Sequence, residues 1–228
     1  MINKIFAIIQ LCDSNFPSGA FSHSFGLETF IQQDLVKNRE TFEAFLKEYV
    51  FQNLVYNDGL ATRIAYEFVE NGDEKALWTL DEMLYISCTA AESREASRRI
   101  GQQMIRICKE LYPSDLLLRY SNKVKTKECY GHSAIVIAII CKFLSISKEL
   151  AITTTLYASV SSMIQNAVRG IPLGQTDGQL LLLKMQEIIP EAILQIERLT
   201  IRELGCTQPS LEIAQMQHEQ LSVRLFMS

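Results

Sequence analysis

The chain has six cysteines but no Cys-x-x-Cys pair, three histidines but no His-x-x-x-His or His-Glu-x-x-His, and no Gly-Lys-Ser/Thr phosphate loop. Each absence removes a class of function. Without thiols at ligand spacing there is no basis for a zinc site or a disulfide frame, so Cys12, Cys88, Cys108, Cys129, Cys141 and Cys206 read as reduced, small hydrophobes. Without a phosphate loop, Gly170-Ile-Pro-Leu-Gly174 and Gly174-Gln-Thr-Asp-Gly178 read as turns, and the chain has no means of its own to hydrolyse GTP or ATP. Ser22-His23-Ser24 lies on no strand-turn-helix elbow, which removes the obvious nucleophile. No catalytic, cofactor-binding or metal-binding residue is assigned, and His23, His132 and His218 read as core or cap residues.

An excess of basic charge is also missing. A net charge of −4 and an isoelectric point near 5.5 give no phosphate-binding surface, so nucleic acid is not expected as a partner. Lys123 to Lys127 carries three lysines without glycines or aromatics to order them and reads as a solvated loop. Long apolar runs are absent too: Ala134 to Leu144 is eleven residues and contains Lys142, too short to span a bilayer. The apolar run Ile5 to Ile9, broken by Gln10 and Asp13, is too short for a signal peptide, and a cytoplasmic location is expected. Five prolines and ten glycines, with no Ser/Gly-rich linker and no internal repeat, predict one domain over residues 1–228. A chain of this length can remove about 70% of its unfolded surface from water.

What is present is helical periodicity. Leu150 to Val168 carries no charge, yet its threonines, serines, Gln165 and Asn166 are too polar for lipid. It reads as a central helix, about 148–169, walled in by other helices, with small residues admitting close neighbours and hydroxyls bonding one turn back. Ser147 caps it, and Gly170, Pro172 and Gly174 stop it just after its first charge, Arg169. Elsewhere, helices are expected over 3–12; after a cap at Ser22 or Ser24; from Asn38 to Asn57-Asp58-Gly59, which ends it; and from there to Asn71-Gly72. Further helices run from Asp73 or Glu74 to about Cys88, over 90–111 with Glu95 and Arg99 at i, i+4, over 116–121 and over 133–144. Thr176 or Asp177 caps another, which Pro190 breaks, starting one to about Leu204. No window alternates long enough for a sheet. The expectation is all-α, a bundle of roughly ten helices around the central one.

The last twenty residues differ in kind. Pro209 starts a polar helix, and Leu221 to Ser228 runs extended and would fray unless docked, on its own core or on a partner chain. Arg169, at the edge of the core, needs a carboxylate or several carbonyls; Asp177, Glu28 and the terminal carboxylate of Ser228 are candidates, and a clamp and a partner-facing role both stay open. Around residues 16–28, Phe16, Phe21 and Phe25 among small residues suit a close backbone contact within the fold or between subunits.

Pro17-Ser-Gly-Ala-Phe-Ser-His-Ser-Phe-Gly-Leu-Glu28, Gln165-Asn-Ala-Val-Arg169 leading into Pro172-Leu-Gly-Gln-Thr-Asp-Gly-Gln179, and His218-Glu219 followed by Arg224-Leu225-Phe226 and Ser228 resemble, in this order and essentially end to end, the urease accessory protein UreF family. The resemblance implies a helical homodimer and urease chaperone that binds UreD (also called UreH) and the GTPase UreG in the complex that matures apo-urease. Nickel insertion takes place on urease and GTP hydrolysis on UreG, so nickel concerns this chain only indirectly. By the same analogy, residues 206–228 dock a partner, with His218, Glu219, Arg224, Leu225 and Phe226 at the UreD/UreH interface. Arg169, Gln175, Asp177 and Gln179 would organise the region the tail docks into. Pro17, Gly19, Phe21, Ser22, His23, Ser24, Gly26 and Glu28 would face the dimer partner or UreG. Two other readings compete. An active modulator of UreG turnover would insert an arginine in trans, and a helical small-ligand enzyme would need a closed apolar pocket around His23, Glu28 and His132.

Overall fold

The computed structural model describes residues 2–228, and among these every regular element is helical. The helices are α1 (Ile2–Cys12), α2 (Leu27–Gln32), α3 (Arg39–Tyr49), α4 (Leu60–Asn71), α5 (Glu74–Ser87), α6 (Ala91–Leu111), α7 (Asp115–Lys125), α8 (Ser133–Phe143), α9 (Lys148–Gly170), α10 (Gln175–Ile196) and α11 (Pro209–His218). Several boundaries follow directly from side-chain chemistry. Asn38 and Thr41 form a reciprocal capping box at α3, Asp73 accepts from the Ala76 N–H at α5, and Ser147 accepts from the Leu150 N–H at α9. Gly72, at φ 70°, closes α4 in the left-handed conformation that glycine adopts without strain. His132 caps α8, accepting from the Ala134 N–H at 3.3 Å.

Several expected boundaries move. Asn57-Asp58-Gly59 does not end a helix: α3 continues through a π-helical stretch, Val50–Gly59, directly into α4. Gly59 has helical dihedrals, and its missing side chain serves packing, since a Cβ there would lie 2.5 Å from Ile196 Cδ1 and 2.9 Å from the Leu54 carbonyl oxygen. Pro190 breaks nothing: α10 runs through it to Ile196, with Pro190 and Gln186 on the exposed side and Ile189, Ala192 and Ile193 buried opposite. Burial of that stripe on both sides of the proline outweighs one lost main-chain bond. Leu199 to Leu204 consequently holds only a 3-10 turn, Ile201–Glu203. The cap of α10 is Gly174, with Thr176 and Asp177 inside its first turn, and the cap of α2 is Gly26 rather than Ser22 or Ser24. α7 extends through Lys123 and Lys125, which places most of the basic stretch on its last turn.

Two hydrophobic clusters make up the interior. One joins α4, α5, α6, α7 and α8 around Leu77, Leu80, Tyr120 and Ile135; the other joins α2, α3, α9 and α10 around Leu27, Phe42, Leu156 and Leu181. The helix from Arg39 to Asn71 and α9 contribute to both, and a bond of 2.8 Å between the Thr62 and Thr155 hydroxyls ties them where they cross. On α9, Thr153, Thr154 and Thr155 donate to the carbonyls one turn back, as the sequence suggests. Its small-residue face is only half covered, however. Ala158, Ser159, Ser161 and Ser162 line an open cleft of about 230 Å³, shared with Arg94 and Arg98 of α6. Among the described residues no helix is long and apolar enough to cross a membrane.

Gly59→Ala tests the continuous helix. Because Ile196 and Leu54 must move to admit one methyl group, the substitution is expected to destabilise the chain by about 1–3 kcal/mol, seen as a lower urea midpoint at unchanged slope. If position 59 were a solvated helix end, glycine to alanine would be neutral.

Candidate functional site

The loop before α2 is shaped by two consecutive left-handed residues, Phe25 at φ 49° and Gly26 at φ 94°. Gly26 is needed twice over: for that φ, and because a Cβ would press on Leu211 Cδ1 of α11 at 3.1 Å. The turn directs the Ser24 and Phe25 N–H groups at one point, and both donate to the backbone oxygen of Ser228, at 2.5 and 3.2 Å. Successive N–H groups converging in this way form a nest for a negatively polarised oxygen. Met227 N–H donates to the Ser22 carbonyl at 2.8 Å, and the Ser228 hydroxyl meets His23 Nδ1 at 2.9 Å. The tail therefore lies along the 22–28 segment of its own chain.

Glu28, in the first turn of α2, is 4% exposed, and the carboxylate is met from three directions. Leu225 N–H donates to Oε1 at 2.5 Å, Phe226 N–H to Oε2 at 3.0 Å, and His218 Nε2 stands 3.0 Å from Oε2. The other nitrogen of His218, Nδ1, lies 2.7 Å from Glu92 Oε2 on α6, and Arg224 donates to Glu92 Oε1 at 2.6 Å. With a carboxylate oxygen on each side of the ring, both nitrogens are placed to donate. The chain Glu28, His218, Glu92, Arg224 thus ties α2, α11, α6 and the tail together. Burial pushes the Glu92 carboxyl up, but the hydrogen bonds from His218 and Arg224 together hold it below the ordinary carboxylate range.

The opposite wall comes from the end of α9. Asn166 donates from Nδ2 to the His23 carbonyl at 2.8 Å, and Arg169 donates to the Phe21 carbonyl at 2.8 Å while its guanidinium sits 4.9 Å from the centre of the Phe226 ring. Among the described residues Arg169 makes no ion pair, so the requirement of a core-edge arginine is met by a carbonyl and an aromatic face, not by Asp177, Glu28 or Ser228. Asp177 pairs instead with Arg39 at 3.1 Å, and Gln175 and Gln179 are exposed on α10. Arg169 is thus the one residue of that set that touches the tail. Within 17–28, His23, Ser24, Gly26 and Glu28 face inward; Pro17 and Phe21 are exposed, and Gly19, at φ 86°, shapes the turn before them. Glu219 is exposed beside buried His218.

Glu92 had no signal in the sequence, because a glutamate in a first helical turn is ordinary dipole chemistry. Asn166 stood inside a quoted motif without an assigned role. The pocket imagined for a small-ligand enzyme does not form: His23 and His132 border the open cleft, whereas Glu28 points into the tail groove. Cys12 and Cys88 also border the cleft, and burial pushes both thiols up to about 11, away from reactivity. Among the described residues no group of three or more His, Cys, Asp and Glu side chains is placed to hold a metal ion.

Two outcomes follow from this geometry. Glu28→Gln places an amide NH2 among N–H donors and should release the tail at a cost of about 3 kcal/mol; slowed tail proteolysis that matches the parent would contradict it. Acid should loosen the same contacts. Burial and the Arg99 charge lower the His23 pKa from its ordinary 6.5, so the unfolded chain takes up the proton first and stability declines as pH falls below 6.5. Glu92 adds stability that is full above its ordinary 4.5 and is lost as pH falls through its lower folded value. Thermal midpoints measured from neutral to acid pH should therefore drop in both ranges, and His23→Gln should flatten the portion just below pH 6.5.

Comparison with known proteins agrees with the motif resemblance. The family model described as UreF matches residues 36–186, two thirds of the chain. The chain is 48% identical over 227 residues to "Urease accessory protein UreF" of Bacillus sp. (strain TB-90), covering 100% of both. It is also 48% identical over 228 residues to the protein of that name from Lachnoclostridium phytofermentans (strain ATCC 700394 / DSM 18823 / ISDg), again 100% of both. A third, from Geobacillus kaustophilus (strain HTA426), is 48% identical over 221 residues, 97% of this chain and 96% of its own length. The 22–28 segment and the tail lie outside the stretch matched by the family model but within the two matches that cover 100% of this chain, whereas Glu92, Asn166 and Arg169 lie inside the family match; the chain belongs to the UreF family of urease accessory proteins, which are not enzymes.

Proposed function

We propose that this chain is the helical adaptor of urease maturation, binding UreD/UreH through its docked tail and bringing the GTPase UreG to apo-urease. One observation carries the reading. Along the docked tail, Phe226 and Ser228 are buried, whereas Val223, Leu225 and Met227 are 74%, 53% and 57% exposed. The contacts that bury Phe226 and Ser228 against their own chain thus leave three apolar side chains facing solvent. Exposed apolar residues gathered in one ridge suit a protein interface rather than free surface.

Two further surfaces fit the remaining partners. Leu180, Leu183 and Leu194 of α10, with Leu150 of α9, are 45%, 59%, 62% and 46% exposed and form the apolar face proposed for a homodimer. Pro17 and Phe21, the outward residues of the 17–28 loop, are left for UreG. Nickel insertion and GTP hydrolysis belong to urease and UreG in this scheme, in a cytoplasmic assembly. Active modulation of UreG through an arginine in trans has less support, because Arg169 is already engaged with the Phe21 carbonyl and the Phe226 ring.

Leu225→Asp separates docking from partner binding, since only the Leu225 N–H touches Glu28. Light scattering on a sizing column should show the variant with unchanged mass alone and circular dichroism like the parent, but at least about tenfold weaker in forming the UreD/UreH complex, the scale of a buried charge at an interface. Undiminished complex formation would move the interface elsewhere.

A further inference from the structure

The contacts between Leu225–Ser228 and the rest of the chain have the form of peptide recognition rather than of core packing. Five main-chain hydrogen bonds span four residues: Leu225 and Phe226 donate to Glu28, Met227 to the Ser22 carbonyl, and the Ser228 oxygen accepts from Ser24 and Phe25. Only two side chains of the segment are read. Phe226 inserts beneath the Arg169 guanidinium and beside Gly170, where a Cβ would come within 3.9 Å of its ring, and the Ser228 hydroxyl meets His23. The groove residues are held independently of the tail: Asn166 fixes the His23 carbonyl, Gln215 donates to the Phe25 carbonyl at 3.3 Å, and Thr29 donates to the Ala214 carbonyl at 2.7 Å. Main-chain bonds that supply affinity, with two side-chain pockets that supply specificity, are the arrangement by which extended peptides are bound.

We propose that Ser22 to Glu28, with Arg169, is a binding site for an extended Phe-x-Ser peptide, and that it accepts this tail from a second copy of the chain as well as its own. The tail is then an exchangeable ligand and not a fixed part of the core. The proposal is independent of which partner the outward ridge meets. Between Leu225 and Ser228 the ligand is specified at Phe226 and Ser228 alone, because Leu225 and Met227 enter only through their backbone N–H groups; Arg224, just before them, adds its pair with Glu92 outside the 22–28 groove.

The test uses full-length chains and a synthetic peptide of Leu221–Ser228 labelled at its N-terminus, followed by fluorescence anisotropy. Phe226→Ala in the protein vacates the groove while leaving every groove residue intact; it should bind the peptide saturably. The same peptide with alanine at the Phe226 position should bind at least about tenfold more weakly. The parent protein should also bind at least about tenfold more weakly, since its own tethered tail competes at millimolar effective concentration. Leu225→Pro, which deletes an N–H that Glu28 accepts, provides a second vacated chain. The proposal is overturned if either variant keeps parental circular dichroism yet takes up no peptide, or binds both peptides equally. It is overturned too if both variants unfold, because the tail would then be an integral part of the core.

Discussion

Glu28 places a carboxylate where almost no water reaches it, and a buried charge that is not met by donors costs several kcal/mol. The rest of the groove follows from this constraint. The left-handed pair Phe25-Gly26 turns the chain so that α2 begins beside the tail; α11 delivers an imidazole to one carboxylate oxygen; and the tail supplies two N–H groups that no helix uses. Remove any one and the charge is less well served, so the groove favours being occupied. Glu92 extends the same logic by one residue, since the far side of His218 would otherwise lack an acceptor.

How much of this could be read from the sequence depends on the range of the interaction. Capping of α3 by Asn38, of α5 by Asp73 and of α9 by Ser147 needs partners only three residues away, and local chemistry is enough. Gly59 and Pro190 misled for one reason: both are locally helix-breaking types, and tertiary packing decided otherwise. Gly59 is where Ile196 comes closest, and Pro190 turns its ring to water while the buried stripe continues beneath it. The candidate site shows the same division. His218, Arg224, Phe226 and Glu28 were visible through their motifs, but the contacts of Glu28 with His218 and Phe226 cross 190 and 198 positions and could not be assigned from spacing. Gln175, Asp177 and Gln179 show the converse: a motif neighbour of Arg169 need not share its contacts, because the turn at Gly174 carries α10 away.

The central helix illustrates a subtler ambiguity. An uncharged run of small and hydroxylated residues permits close packing, yet it equally permits a polar cleft. The threonines of the first half of α9 satisfy themselves on carbonyls, and Thr155 also meets α4, whereas the serines of the second half border open space near Arg94 and Arg98. Composition does not distinguish the two halves; the neighbours do.

The π-helical stretch from Val50 to Gly59 carries a consequence of its own. Each i→i+5 turn takes in a residue more than an α-turn and so rotates everything downstream about the helix axis. Before it, Phe42, Leu46 and Tyr49 point to the cluster around α9 and α10; after it, Leu60, Ala61, Ile64 and Ala65 point to the cluster around α5, α6 and α8. One rod is thereby phased to two cores. Neither half of the molecule can melt without unwinding a helix that the other half is gripping, and the change of phase acts as a splice that makes two hydrophobic interiors unfold as one.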